Sequence, residues 1–283
     1  MIKIINDVSQ LFDYLDVISQ VYYFRGYSKL CQLKSTLGRN PGFIKHEFDM
    51  LIDFVKTQEV INLGIDTVRR LLELGQHYGI PTRFVDWTID PFVALFFALG
   101  KNYKNHELVY IACLKTESVE SKDINNIPAE PFRLEEVGPE LIGQFSGRTL
   151  AEISEFSPSM KHPKLSEYLA LIMVYKKYIE HISNINDFYF YSYKKDFINL
   201  RKESQKGVFS FHADPQALFP QRLIESITIN FNEKQKEDSI NRLMLKDISP
   251  EKIFPDEGQY KNLLLNCDVI SSKYKACSTT CRY

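Results

Sequence analysis

Cysteine is scarce and odd in number: Cys31, Cys113, Cys267, Cys277 and Cys281 are five among 283 residues, with no C-x2-C pair. That pattern excludes a disulfide scaffold and a zinc ribbon, and predicts free thiols in a reducing compartment. Cys277 and Cys281 stand four apart, but no histidine near them completes a metal site. Net charge is almost absent too, with 35 Lys+Arg against 36 Asp+Glu. A protein that coats duplex nucleic acid needs a cation for each neutralised phosphate, so the balance argues against that class and leaves open only a local basic groove. No run of 18 apolar residues occurs, and the first residues, MIKIINDVSQ, lack the apolar core of a signal peptide. No membrane partner is expected, and the protein is expected to be cytoplasmic.

The common cofactor and catalytic signatures are missing as well. There is no G-x-G-x-x-G after a strand, no G-x-x-x-x-G-K-[ST], no G-x-S-x-G and no H-E-x-x-H. His46-Glu47 opens like the last of these, but Met50 and Leu51 stand where a second histidine is needed. Dinucleotide dehydrogenases, P-loop NTPases, zincins and α/β-hydrolases are set aside on that ground.

What is present is an ordinary globular composition, 44% hydrophobic and 25% charged, in a chain long enough to bury a core without staples. Helical spacing of apolar residues predicts helices over Asn6–Ser19, Phe43–Lys56, Thr67–Tyr78, Leu165–Ile182, Glu233–Leu245 and Glu257–Leu265. Asp90-Pro91 reads as an N-cap followed by proline at the first helical position, and Phe92 to Ala98 is apolar all round, which predicts a buried helix from Pro91. Val21–Phe24, Glu107–Leu114, Phe188–Tyr193, Lys206–His212 and Leu223–Phe231 read as strands, the first ending at Arg25-Gly26. No repeat or linker divides the chain, so a single α+β domain is expected. Its parts are a helical region over 1–78, a core block over 79–114, an acidic surface excursion over 116–147, a helix and strand region over 148–265 and a frayed tail over 266–283.

Polar chemistry is concentrated in two places. Arg25 emerges from an aromatic strand, and a guanidinium that cannot shed its charge there needs an anion or a carboxylate. A diphosphate or carboxylate ligand satisfies that need, and so does an ion pair with Asp86. Gln76, His77, Thr82, Arg83, Asp86, Trp87 and Thr88 fall within thirteen residues at the approach to the buried helix, where polar groups must bond to one another or to a ligand. If 80–85 is extended, Thr82 and Arg83 face opposite ways. Trp87, the only tryptophan, either fills core or stacks on a planar ring, and His77 is either a helix C-terminal cap or a site residue. Glu203 and Gln205, two apart on a segment read as extended, would share a face, beside the reading of a solvated edge in the basic run 194–206.

Phe24-Arg25-Gly26, QHYGIPTRFVDWTIDPFVALFFA over 76–98, QKGVFSF over 205–211 and IFPDEGQY over 253–260 resemble, in the same order, the blocks of the FRG-domain family. That family's occurrence suggests toxin or antiviral roles. A second resemblance is to ADP-ribosyltransferases of the Arg-Ser-Glu type, which implies a split-sheet core with flanking helices and NAD as co-substrate without a metal. Phe24-Arg25-Gly26 is similar to their first motif, Thr82 or Thr88 with Ala94 to Ala98 to the second, and Glu203-x-Gln205 to the third. The resemblance implies Arg25 on the NAD diphosphate or ribose, Thr82 and Trp87 along the nicotinamide, and Glu203 or Gln205 on the ribose hydroxyl. Gln205 stands where those enzymes carry the catalytic glutamate, so Glu203 or Glu225 would have to serve. The expected reaction is ADP-ribose transfer to a protein or nucleic acid, or NAD hydrolysis, with an antitoxin or phage protein as further partner. A non-catalytic module that senses a phosphorylated ligand or a phage protein through Arg25, Arg83 and His77 is the alternative. A metal nuclease on Asp86 and His77 lacks a second acidic ligand at recognisable spacing.

Overall fold

The computed structural model of the chain describes residues 2–28, 33–57, 65, 68–100, 108–116, 163–182, 188–191, 203–219, 224–255 and 269–274. Ile2–Ile5 forms strand β1, and Asp7 then accepts the Gln10 N–H to start helix α1, Val8–Ile18, whose Val8, Leu11, Phe12, Leu15 and Ile18 are buried at helical spacing. Strand β2 runs Tyr22–Tyr27, so Arg25 and Gly26 lie inside it and do not terminate it. The helix expected over Phe43–Lys56 is divided, because Pro41 at its head opens a 3-10 turn, Pro41–His46, before helix α3, Glu47–Val55. A short helix α2, Thr36–Arg39, precedes that turn, and helix α4, Val68–His77, follows.

Gly79, at φ 93, ends α4 through backbone bonds from Gly79 to Gln76 and from Ile80 to Gly75. Strand β3 runs from Phe84 to Thr88; 80–82 has no regular structure and Arg83 is a bend, although its carbonyl still accepts the His212 N–H. Asp90 then caps helix α5, Pro91–Leu99, by accepting the Phe92 and Val93 N–H groups, as its sequence foretells. Strand β4 is Val109–Lys115, helix α6 Pro163–Ile182, strand β5 Phe188–Tyr191, strand β6 Gly207–His212 and strand β7 Ile224–Ile229. Helix α7, Glu233–Leu245, is closed by a capping box between Asn232 and Gln235, and helix α8 is Pro250–Ile253. The expected excursion beyond Thr116, the helix over Glu257–Leu265, residues 266–268 and 275–283 of the expected frayed tail and every cysteine but Cys113 lie outside the described residues; residues 269–273 of that tail are helical, not frayed, with Ile270 buried in the core and Lys273 bonded to Asp53, and Cys113 is a buried free thiol.

The architecture is mixed, one seven-stranded sheet in the order β1-β7-β4-β2-β3-β6-β5 with helices packed on it. Among the described strands only β1 and β7 pair in parallel. Alternation along β2 sends Phe24 and Gly26 to one face and Tyr23, Arg25 and Tyr27 to the other. On the first face two apolar clusters stand side by side. One packs α1, α5 and α7 on the β1, β7, β4 and β2 half, and the other packs α3, α4 and α6 on Phe84, Phe209 and Phe211. The boundary between them runs along β2 and β3. A smaller cluster on the second face joins Tyr27, Val85, Trp87, Ala112, Leu114, Val208 and Ile224 to Leu33 and Phe219. Gly26 seats α5 directly on β2: a Cβ there would lie 1.9 Å from the Ala94 carbonyl oxygen. Among the described residues no helix is long and apolar enough to cross a membrane.

Candidate functional site

The sheet is weakest where the polar residues meet. β2 pairs with β4 over six residues, Tyr22 to Tyr27, but with β3 at the single pair Phe24 and Thr88. Beyond that pair the two strands part, which strips the β3 carbonyls of ladder donors on the β2 side. Arg25 answers this need: its Nη1 donates to the Asp86 carbonyl oxygen at 2.5 Å. The same nitrogen stands 3.7 Å from Asp86 Oδ2, with the Arg25 side chain 12% exposed and that of Asp86 52%. The Arg25 guanidinium thus binds the strand first and the carboxylate only loosely.

A directed chain of hydrogen bonds holds the other side of Asp86. The Phe84 N–H donates to Thr82 Oγ1 at 3.2 Å, the Thr82 hydroxyl donates to Gln76 Oε1, and Gln76 Nε2 donates to Asp86 Oδ1. Helix α4 delivers Gln76 on its last turn, and the Gly79 stop folds Thr82 back beneath it. His77, the last residue of that helix, is half-buried and meets the Tyr78 ring edge-on at 4.7 Å. Gln76, Thr82, Asp86 and Arg25 are therefore gathered into one network.

Arg83 belongs elsewhere. It is buried with Glu47 and Tyr175: its Nε lies 2.9 and 3.0 Å from the two Glu47 oxygens, its Nη2 2.8 Å from Oε2, and its Nη1 donates to the Ala213 carbonyl. The Tyr175 hydroxyl donates to Glu47 Oε1 at 2.5 Å. Burial opposes the Arg83 charge, yet Tyr175 and Glu47 outweigh it and hold the guanidinium above its ordinary pKa. Burial and then Glu47 push the Tyr175 phenol well up in turn. Thr82 and Arg83 diverge, Thr82 to Gln76 and Arg83 to Glu47.

Trp87 is core, 2% exposed, with Nε1 donating to Ser210 Oγ at 2.9 Å. Ser210 Oγ lies 3.1 Å from His212 Nε2, and burial pushes His212 down to about 3, with the nearby Arg25 charge lowering it further and the Ala217 backbone opposing. Sequence reasoning passed over Ser210 and His212. The signal was there, since they are the polar residues that alternate with Phe209 and Phe211 in β6. Thr88 donates to the Gln205 carbonyl at 2.7 Å and accepts the Asp90 N–H at 3.0 Å, so it closes the strand end.

Glu203 and Gln205 do not share a strand face, because 203–204 is helical and Lys206, at φ 47, turns the chain into β6. Gln205 Nε2 donates to the Ile253 carbonyl at 3.2 Å, while Glu203 is exposed. Glu225 sits on β7, separated from β2 by β4, where Lys115 is 3.5 Å away. Burial and then Glu225 push the Tyr22 phenol up to about 12. No group of three His, Cys, Asp or Glu side chains among the described residues is arranged to hold a metal.

The class defined by this geometry is a mixed α/β protein with an arginine anchored in a parted central sheet. The sequence profile of the FRG domain matches residues 20–107, from the turn before β2 to the approach to β4, so the chain carries an FRG domain. No curated protein and no solved structure matches the chain significantly.

Proposed function

We propose that the protein binds NAD at the parted strands β2 and β3 and cleaves its nicotinamide bond, as an ADP-ribosyltransferase or NAD glycohydrolase that acts as a toxin or antiphage effector. One observation carries the reading. The three segments similar to the Arg-Ser-Glu motifs are far apart in sequence, yet they lead into or lie on β2, β3 and β6, which are consecutive in the sheet. An opening in the sheet at the first of these junctions, lined by an arginine, is what a diphosphate needs, because a guanidinium presents several donors to phosphate oxygens. Arg25 serves as the diphosphate ligand in this reading, with Gln76, His77, Thr82 and Thr88 along the same junction. Trp87, buried against Ser210 and Phe219, supports the pocket from behind and does not stack on the ligand. Cleavage also requires a carboxylate next to developing oxocarbenium charge. Two are candidates: Asp86 on β3, 3.7 Å from Arg25, and the exposed Glu203 before β6.

The test is nicotinamide release by the purified chain, with and without cell lysate, beside Arg25→Ala. Release that needs Arg25 establishes NAD cleavage, and a rate that rises with lysate makes the reaction a transfer. No release together with a rise in melting temperature on adding NAD or another phosphorylated nucleotide would favour the sensing module in its place.

A further inference from the structure

We infer that Asp86 is the catalytic carboxylate of this site, the group that stabilises the ribosyl cation and takes the nucleophile's proton, and that Gln76 and Thr82 position it. The inference rests on the NAD-cleaving reading above and supplies the carboxylate that reading needs.

Asp86 is the exposed residue in a strand whose other four, Phe84, Val85, Trp87 and Thr88, are buried. A carboxylate in the middle of an interior strand contributes nothing to packing and costs desolvation unless it is left open to solvent or a ligand. Its two oxygens are unlike. Oδ1 accepts the Gln76 amide, whereas Oδ2 receives no hydrogen bond among the described residues and stands 3.7 Å from Arg25 Nη1, beyond hydrogen-bond length. The orientation of the chain is fixed from its Asp86 end. An ionised carboxylate only accepts, so Gln76 presents its Nε2 to Asp86 Oδ1 and leaves its Oε1 to accept the Thr82 hydroxyl. That hydroxyl in turn accepts the Phe84 N–H through a lone pair.

Arg25 is tied to the carbonyl of the same residue. Cation and carboxylate are therefore held at a fixed spacing through one peptide unit, a diphosphate ligand beside a group for the sugar. The competing side chains are engaged elsewhere: Gln205 with the Ile253 carbonyl, and Glu225 with Lys115 across β4.

In the reaction, the bond from ribose C1′ to the nicotinamide nitrogen breaks with its electron pair going to nitrogen, and the pyridinium leaves as neutral nicotinamide. The positive charge passes to C1′ and the ring oxygen, where Asp86 Oδ2 stabilises it. Water or an acceptor nucleophile forms the new bond to C1′, and its proton goes to Oδ2 and then to solvent. No oxidant or reductant enters.

The experiment compares Asp86→Asn, Gln76→Leu and Glu203→Gln with the unaltered full chain, measuring nicotinamide release and the melting-temperature shift given by NAD. Asn keeps the acceptor for Gln76, so the fold and the NAD shift of Asp86→Asn are expected to persist while release falls about 100-fold or more. Gln76→Leu is expected to lower kcat about tenfold with KM changed less than about twofold, the split given by a residue that positions the reacting group. A purely structural role for Gln76 would lower the melting temperature and leave kcat per folded molecule unchanged. Release by Asp86→Asn within about threefold of the unaltered chain, with Glu203→Gln inactive, overturns the inference and leaves NAD cleavage standing. Loss of the NAD shift along with release makes Asp86 a binding residue and also overturns it. An unaltered chain that neither shifts nor releases defeats both readings together.

Discussion

Two arginine and carboxylate pairs flank the start of β3, and they are built in opposite ways. Arg83 and Glu47 are 7% and 1% exposed in their side chains, meet at 2.8 Å through several contacts and share a tyrosine. Arg25 and Asp86 are 12% and 52% exposed and stand 3.7 Å apart, each bonded chiefly to something else. The first pair is bonded at every Arg83 nitrogen and at both Glu47 oxygens, and it joins the head of α3 to α6 and to the loop after β6. The second keeps a carboxylate oxygen open beside a cation. Charge pairing by itself therefore does not mark a functional site. Incomplete pairing, held in place by neighbours that are themselves satisfied, is what separates the proposed site from the core pair.

Removing the buried carboxylate is the severest way to break this contrast. Glu47→Ala leaves Arg83 buried and uncompensated, and should cost ~3–5 kcal/mol in urea unfolding, where Asp86→Ala should cost ~0–1 kcal/mol. Equal losses would erase the distinction between the pairs. Gly26→Ala, whose Cβ would meet the Ala94 carbonyl oxygen at 1.9 Å, should cost ~1–3 kcal/mol or more by lifting α5 off β2, and should reduce any Arg25-dependent NAD shift along with stability.

Acid titration sharpens the comparison from the other face of the sheet. His212, fully buried beside Arg25, has its folded pKa lowered from 6.5 to about 3, so in that window the unfolded chain binds a proton that the folded chain refuses. Its contribution is complete above pH 6.5 and is lost as pH falls, with a slope of ~1.4 kcal/mol per unit between those values. His212→Asn should lower that slope by about one proton in unfolding between pH 6 and pH 4, and change it little at pH 7. The mildest change is Asp90→Ala, which removes the α5 cap and should cost ~1 kcal/mol by thermal melting with no difference in NAD response per molecule folded.

Much of the framework was legible because it rests on local rules. The apolar run after Asp90-Pro91 and the spacing over Glu233–Leu245 state their helices outright, and the alternation of 224–229 states a strand. Strand β1 was passed over: four residues, Ile2–Ile5, carry too little pattern, and its parallel pairing with β7 is a contact across the whole chain. At 203–206 a helical turn stands where the segment was read as extended, because Lys206 adopts a positive φ that the surrounding residues do not announce. The site was half legible. Gln76, Thr82, Asp86 and Arg25 were picked out for their chemistry and are joined, whereas Arg83 and Trp87, picked out on the same grounds, serve the core.

Residue chemistry fixed which groups could not stand alone: an arginine in an aromatic strand and a polar cluster before a buried helix must each find partners wherever the chain takes them. Which partners they found was decided by the sheet order, which sets β3 between β2 and β6, and by the parting of β2 from β3 after one pair. Hydrogen-bond demand is a property of a side chain and can be read from sequence. Its satisfaction depends on strands and helices distant in sequence, and only their packing sends Arg83 to Glu47 in the core and Arg25 to the Asp86 carbonyl at the parted strands.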